Sequence, residues 1–234
     1  MHGRRAEHGR TSRVATTWSS AVLAAVLVGA AATPAAAGDL WDGFESGSSQ
    51  QWEVVQEGAA SFTVTPDAAR TGSFGARSVV EPWDPRARTY LRHRLAPSSE
   101  VLAKGAFRVV REGVAGSNVP TLRIFSGDRR LVDVYRQNVS GGLWVRYRNA
   151  GGQLAFLRLG TSYQPLDQWF DVAVRVEQGG DWSRLQVWVD GTLRIDRWVP
   201  LHPGSIDTVY VGAEHVRQVG VVDVNDLEIV AGPE

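Results

Sequence analysis

Aromatic and polar side chains alternate with apolar ones in two stretches of the sequence. Gln186, Trp188 and Arg194 occupy the polar positions of one stretch, and Trp144 and Arg146 occupy those of another. Sugar rings stack on exposed indoles, while guanidinium and amide groups bond sugar hydroxyls. These residues predict a carbohydrate-binding groove. The alternative is that loops cover Trp144 and Trp188, which would then form small satellite cores.

The chain lacks the carboxylate spacing of a glycosidase. No E-x-D-x-x-E or E-x-D-x-E run occurs, and Asp167, Asp171 and Asp181 are scattered over loops and strand starts. A glycosidase needs two carboxyl groups at a fixed separation across the scissile bond. The sequence therefore disfavours retaining glycosidase activity.

Two runs contain the residue types of a uronate lyase, in which Arg, Asn or Gln neutralises a carboxylate and Tyr or His removes a proton. Tyr90, Arg92 and His93 share one predicted strand, and a run from Tyr135 to Asn138 ends another. Tyr90 and His93 are three positions apart, so on a regular strand they point to opposite faces. The sequence favours ordinary strand residues in both runs.

Strands must position all of these residues. From residue 169 to 198, apolar side chains occupy every second position on both sides of a turn at Asp190-Gly191, as in half-buried strands. A three-residue loop with Gly191 in a left-handed bulge position would pair Val187 with Leu193 and Leu185 with Ile195. The opposite face would then carry Gln186, Trp188 and Arg194.

About thirteen such short strands follow one another, and no apolar period of 3.6 residues persists over three turns. Short strands at regular spacing are typical of two packed antiparallel sheets. The sequence thus predicts an all-β, two-sheet jelly-roll sandwich.

The first 37 residues have the pattern of an export signal. Four arginines precede an apolar run of 12 residues, from Ala21 to Ala32, and a small-residue cleavage site at Ala35-Ala36-Ala37. The apolar run is too short to span a bilayer. We therefore expect a secreted, extracellular protein with one domain over residues 38–234 and no membrane association after cleavage.

Composition narrows the function classes further. Removing four arginines and Glu7 from a chain of net charge zero leaves the mature protein at −3, which gives no support for nucleic-acid binding. Cysteine is absent, so neither disulfides nor thiolate chemistry contribute. We also expect a monomer.

Several segments together carry a resemblance to a known superfamily. They are DGFESG at 42–47, Trp52, ARTGSFGAR at 69–77, WFDVAVRV at 169–176, LQVWVDGTL at 185–193, GSIDTVYVGA at 204–213 and DVNDLEI at 223–229. The chain resembles the concanavalin A-like lectin/glucanase superfamily, in particular its LamG-like secreted modules. This resemblance implies the fold but not the activity, because the architecture hosts lectins, adhesion modules, glycoside hydrolases and polysaccharide lyases.

The opening segments also resemble heparin-lyase-like secreted enzymes. Such enzymes place an R-x-E-L segment on the next strand, and this chain has Tyr90-Leu91-Arg92-His93 there. The acidic residue is missing, which argues against that activity.

The superfamily often joins its first and last strands through a calcium ion. The resemblance therefore implies a structural Ca²⁺ site formed by Asp42 and Glu45 at the start of the domain and by Asp223 and Asp226 at its end. The alternative is that these are solvated carboxylates, which discourage aggregation at a sheet edge.

Fold-level resemblance without a catalytic constellation predicts a secreted, non-catalytic module that binds carbohydrate or another extracellular polymer. Two alternatives stay open. One is a polysaccharide lyase or glycoside hydrolase with a diverged site, and the other is an adhesion module that binds protein.

Overall fold

A computed structural model describes residues 39–232, and over this range the chain folds into strands with one 3₁₀ helix and no α-helix. The export signal predicted over residues 1–37 lies outside the described residues. No helix in the described part is long and apolar enough to cross a membrane. In chain order the elements are β1 (Leu40–Asp42), β2 (Glu53–Glu57), β3 (Ala60–Thr65), the 3₁₀ helix (Pro66–Ala68), β4 (Gly75–Val80), β5 (Arg88–Ser98), β6 (Glu100–Glu112), β7 (Asn118–Ser126), β8 (Arg129–Gln137), β9 (Gly142–Arg148), β10 (Leu154–Tyr163), β11 (Trp169–Glu177), β12 (Ser183–Val189), β13 (Thr192–Val199), β14 (Ile206–Ala213) and β15 (Gly220–Ala231).

The strands form two antiparallel sheets. The eight-stranded sheet has the order β13-β12-β11-β6-β15-β4-β3, with β1 also paired to β15, and the seven-stranded sheet has the order β10-β9-β8-β7-β14-β5-β2. Apolar side chains from both sheets, such as Phe107 and Phe170 from one and Ile124 and Val145 from the other, pack into one core. Alternating strands with one apolar face can bury it only against another sheet. The predicted all-β, two-sheet antiparallel jelly-roll sandwich is confirmed.

The first and last strands are neighbours, as the resemblance implied. Leu40 pairs with Ile229 and Asp42 with Leu227 in the β1 to β15 ladder. A bulge interrupts β15 just beyond this ladder, where Asp226 has a φ of 52°. The C-terminal half of β15 thus pairs with β1.

The register predicted for the β12–β13 hairpin is wrong. Asp190 and Gly191 have φ values of 49° and 72°, so they form a two-residue turn of the type I′ kind, and Trp188 pairs with Leu193. A bulge at Arg194 then pairs Val187 with Ile195. The bulge keeps Ile195 in the core, while Leu193 is left exposed. An extra residue in one strand reverses which of the following side chains face inward. Ile195 therefore faces the core although Leu193, two positions earlier, does not.

Candidate functional site

The structure places the five predicted sugar-binding residues on two opposite surfaces. Trp144 and Arg146 belong to β9 in the seven-stranded sheet, whereas Gln186, Trp188 and Arg194 belong to β12 and β13 in the eight-stranded sheet. Their apolar neighbours fill the core between the sheets, so Trp144 and Trp188 point away from each other. The predicted single groove does not exist, because the sandwich separates its two halves.

A row of paired residues crosses the whole outer face of the seven-stranded sheet. Each member lies opposite the next in the strand ladders. From one edge to the other the row is Glu53, Arg92, Tyr210, Arg123, Asp133, Arg146 and Phe156. Directly paired side chains in antiparallel strands lie close enough to contact one another. The row therefore brings together residues that are widely separated in the sequence.

The centre of this row is a cluster of charges, which we call the arginine cluster: Arg123, Arg130, Asp133, Arg146 and Glu214. Arg123 bonds the Asp133 carboxylate through Nε (3.2 Å) and the Glu214 carboxylate through Nη1 (2.8 Å). Arg146 donates to the other Asp133 oxygen. Arg130 Nη1 lies 3.7 Å from Asp133 Oδ2 and 3.5 Å from Glu214 Oε2. Two carboxylates thus bond or closely approach three guanidinium groups.

The arginine cluster has more positive charge and more donors than its carboxylates can satisfy. The Arg123 and Asp133 side chains are fully buried, and those of Arg130 and Arg146 are less than one fifth exposed. Burial lowers the pKa of Arg130, and repulsion from Arg123 and Arg146 lowers it further, whereas the two carboxylates raise it. Arginine remains protonated in proteins, so the cluster retains an uncompensated charge. Among the described residues, the Nη2 of Arg123 and the Nε of Arg146 are buried without an acceptor.

Aromatic rings lie on both sides of the arginine cluster. On one side, Tyr210 stacks on Tyr90 with ring centroids 4.8 Å apart and contacts Phe125 at 4.2 Å. On the other side, the Arg146 guanidinium lies 5.5 Å from the centre of the Tyr135 ring. Burial raises the pKa of both Tyr90 and Tyr135. Their hydroxyl groups therefore stay neutral at neutral pH and can both donate and accept hydrogen bonds.

Two open depressions flank Arg130 on the outer face and together form what we call the cleft. One has a volume of about 480 Å³ and includes Phe125, Arg148 and Glu214 in its wall. The other, of about 620 Å³, is bounded by Arg146 and by the loops at residues 82–85 and 114–118. Both contain Arg130 and His215. These volumes fall in the range of ligand-binding clefts.

His215 has a defined tautomer when it is neutral. Its Nδ1 lies 2.7 Å from the carbonyl oxygen of Val216, which can only accept, so Nδ1 carries the proton. The neutral ring therefore presents an unprotonated Nε2. An exposed imidazole that lines the cleft beside Arg130 is a possible proton acceptor in this site.

The outer face of the eight-stranded sheet carries the other predicted residues, Gln186, Trp188 and Arg194. Trp188 is half-buried beside Ala173, with Lys104 paired to Glu228 and Arg175 paired to Glu100 around it. Gln186 is buried and donates to Asp196, which also accepts from Arg184. Arg194 is exposed at the bulge. Here the charged groups largely neutralise one another, and Trp188 lies outside the main core.

The four carboxylates predicted to bind calcium do not converge into a ligand set. Asp42 accepts from the Phe44 N–H and the Trp52 indole, and Glu45 accepts from the N–H groups of Ser73 and Phe74. Asp223 is fully buried between Arg77 and Arg108, and Asp226 lies near Arg70 and Thr71. No group of three or more metal-ligating side chains exists within residues 39–232. Their oxygens face donors and cations, so the residues present do not fit a calcium ion.

The residues considered for a lyase site do not lie together on one surface. Tyr90 faces outward, whereas His93 is buried against Trp52, so the expectation that they point to opposite faces is confirmed. Arg136 is buried and bonds Glu112 and the carbonyl oxygen of Gln164. Asn138 is also buried. Arg136 and Asn138 therefore stabilise the sandwich and are not among the residues that line the cleft.

Sequence reasoning missed most of the arginine cluster. The available signal was a charged residue at the outward position of an otherwise apolar strand, as at Arg123 in TLRIF and Asp133 in LVDVY. Burying a charge is costly unless it is paired. Such residues therefore predict a partner, but the sequence does not identify which strand supplies it.

Comparisons with known proteins support the fold. The sequence matches no protein-family model, and no curated protein matches it. Among solved structures, the cellulose induced protein Cip1 superposes with a TM-score of 0.66 at 16% identity, covering 82% of this chain and 97% of Cip1. A carbohydrate esterase from Shiga toxin-encoding bacteriophage phi24B has a TM-score of 0.59 at 17% identity, covering 84% of this chain and 98% of the esterase. A sialidase has a TM-score of 0.60 at 11% identity, covering 83% of this chain but only 18% of the sialidase. At these identities the likeness is one of fold.

Proposed function

We propose that this protein is a secreted, non-catalytic module that binds an extracellular polysaccharide in the cleft on the outer face of the seven-stranded sheet. The observation that carries the proposal is the open cleft, in which Arg130 lines both depressions, on the same outer face as the half-buried rings of Tyr210 and Trp144. Sugars are bound in this way, through stacking on rings and hydrogen bonds to hydroxyls. The names of two similar structures, a carbohydrate esterase and a cellulose-induced protein, give further support.

The sequence offers a matched pair of tryptophans to test the location. Trp144 lies opposite Tyr135 on the cleft side, and Trp188 lies on the other outer face, with both half-buried. Trp144→Ala should weaken polysaccharide binding by roughly 1 to 3 kcal/mol, whereas Trp188→Ala should leave it unchanged. Affinity gel electrophoresis with a panel of neutral and acidic polysaccharides measures both variants. A loss confined to Trp188→Ala would move the site to the opposite face.

A second candidate function is a polysaccharide lyase, and the observation that favours it is the tautomer of His215. A neutral Nε2 could take the C5 proton of a uronate, the electron pair would form the C4–C5 double bond, and the C4–O bond would break with proton return to the leaving oxygen. Arg130, which lines the same depressions, would stabilise the charge on the uronate carboxylate.

Product analysis separates the two candidates. A binding module is retarded by the polysaccharide in the affinity gel, and it produces neither reducing ends nor unsaturated uronates. If unsaturated products appear, and if His215→Ala removes them while binding persists, the non-catalytic proposal is wrong and the lyase is correct.

A further inference from the structure

We infer that the ligand of the cleft is acidic, a polysaccharide with carboxylate groups, and that one carboxylate binds at Arg130 above the arginine cluster. This inference rests on the proposed function, since it names the chemical class that the same cleft would take. It goes further in one respect, because it predicts discrimination between a polyuronate and the same polymer without its charge.

The charge around the cleft is unbalanced. The arginines in or directly beneath it outnumber the carboxylates by six to four. The arginines are Arg123, Arg129, Arg130, Arg146, Arg148 and Arg217, and the carboxylates are Asp84, Asp128, Asp133 and Glu214. Asp84 accepts from the N–H groups of Arg86 in its own loop and of Ala59 in the turn between β2 and β3. The groups available to a ligand are therefore predominantly cationic.

The unsatisfied donors belong to the same place. Arg123 is completely buried and already bonds both carboxylates of the cluster, yet its Nη2 has no acceptor among the described residues. The buried Nε of Arg146 is in the same condition. Asp133 accepts from Arg123 and Arg146 and lies 3.7 Å from Arg130, so its single negative charge is shared among three guanidinium groups. The surplus positive charge of the cluster is therefore open to a further anion at Arg130 and Arg146, whose side chains are partly exposed.

A carboxylate meets the requirement better than a hydroxyl does. Guanidinium and carboxylate groups match in a planar, bidentate geometry, and the charged hydrogen bonds are about twice as strong as neutral ones. A neutral sugar could accept hydrogen bonds from Arg130 but would leave the positive charge uncompensated in a partly desolvated site. The half-buried Tyr210 ring, which contacts Phe125 in the wall of the smaller depression, would hold a sugar ring while Arg130 holds the acid.

The test compares polygalacturonate and alginate with their fully methyl-esterified forms, which keep the backbone and remove the charge. Binding is measured by isothermal titration calorimetry at low and high salt for the full mature chain. The variants are Arg130→Gln and, as a matched control, Arg175→Gln, which removes a half-exposed arginine from the opposite outer face. We expect at least tenfold tighter binding of an acidic form, weakening at high salt, and a loss of about tenfold in Arg130→Gln only.

The outcomes distinguish the inference from the function on which it rests. Equal affinity for the acidic and esterified polymers would overturn the inference and leave polysaccharide binding intact. Binding of no polymer at all would overturn both. A preference for acid that survives Arg130→Gln but disappears in Arg175→Gln would also overturn the inference, because the acid would then be recognised on the other face. Circular dichroism of both variants confirms that each is folded.

Discussion

The two outer faces of the sandwich treat charge differently. On the eight-stranded sheet, Asp223 joins Arg77 and Arg108, and both guanidinium groups also reach the carbonyl oxygen of Asp67 while staying about one quarter exposed. On the seven-stranded sheet, Arg123 is fully buried and retains an unbonded N–H. The charges on the first face are balanced by protein groups or are partly exposed to solvent. On the second face, Asp133 and Glu214 are shared among Arg123, Arg130 and Arg146, which leaves a surplus of positive charge.

This difference separates charges that are balanced by cross-strand pairing from charges that are left in surplus. Cross-strand pairs of opposite charge stabilise antiparallel strands by a fraction of a kcal/mol and need no excess of either sign. A surplus of buried guanidinium groups costs stability. Proteins keep such unfavourable arrangements at functional sites, where a ligand supplies the missing interaction.

The largest effect on stability should come from neutralising the aspartate that lies between arginines on each face, Asp133 on the seven-stranded sheet and Asp223 on the eight-stranded sheet. Asp133→Asn leaves three guanidinium groups facing Glu214 alone, and because Arg123 cannot reach water it should destabilise the protein by about 3 to 5 kcal/mol. Asp223→Asn should cost less, roughly 1 to 3 kcal/mol, because Arg77 and Arg108 can turn toward solvent. Urea denaturation of the two variants measures the difference. Equal losses would show that the two clusters are alike.

A smaller effect is expected from raising the charge of the cleft. Glu214 is about one quarter exposed at the edge of the arginine cluster, and Glu214→Gln removes one of its two negative charges. Affinity for a polyuronate should then rise by about 1 kcal/mol at low salt, roughly fivefold, and the gain should shrink as salt is added.

The control for this variant is Glu228→Gln on the eight-stranded sheet. Glu228 has nearly the same exposure and pairs with Lys104 beside Trp188. Calorimetry should give an unchanged affinity for it. Weaker binding by Glu214→Gln would mean that Glu214 itself bonds the sugar, and the electrostatic contrast between the faces would then be wrong.

The sequence predicted the fold well because alternation is a local signal. Every predicted strand, from the one at Leu40 to the one ending near Val230, appears in the structure. The hairpin register was missed because the bulge at Arg194 leaves no trace in the apolar pattern. Local alternation also placed Trp144 and Arg146 correctly on an outer face.

The candidate site was less predictable because it depends on strand order. Arg123 meets Tyr210 only because β14 lies between β5 and β7, and residues almost ninety positions apart become neighbours. Alternation tells which side of a strand a residue occupies, but not which strand lies beside it or which of two sheets contains it. That is why Trp144 and Trp188 were assigned to one groove although the core separates them.

The smallest effect concerns calcium at the junction of β1 and β15. The carboxylates of Asp42, Glu45 and Asp223 already accept hydrogen bonds from the N–H groups and guanidinium groups around them, and a cation would have to displace those partners. A cation that binds only the folded state raises stability by RT ln(1 + [L]/Kd), about 2.7 kcal/mol at a hundredfold excess over Kd. We therefore expect calcium and a chelator to leave the melting temperature unchanged, and Asp226→Asn to respond to calcium as the parent does.

Differential scanning calorimetry in the presence of calcium or of the chelator tests this expectation. A melting temperature that rises with calcium, and that loses this rise in Asp226→Asn, would establish the ion site and would show that the eight-stranded sheet also depends on a bound charge.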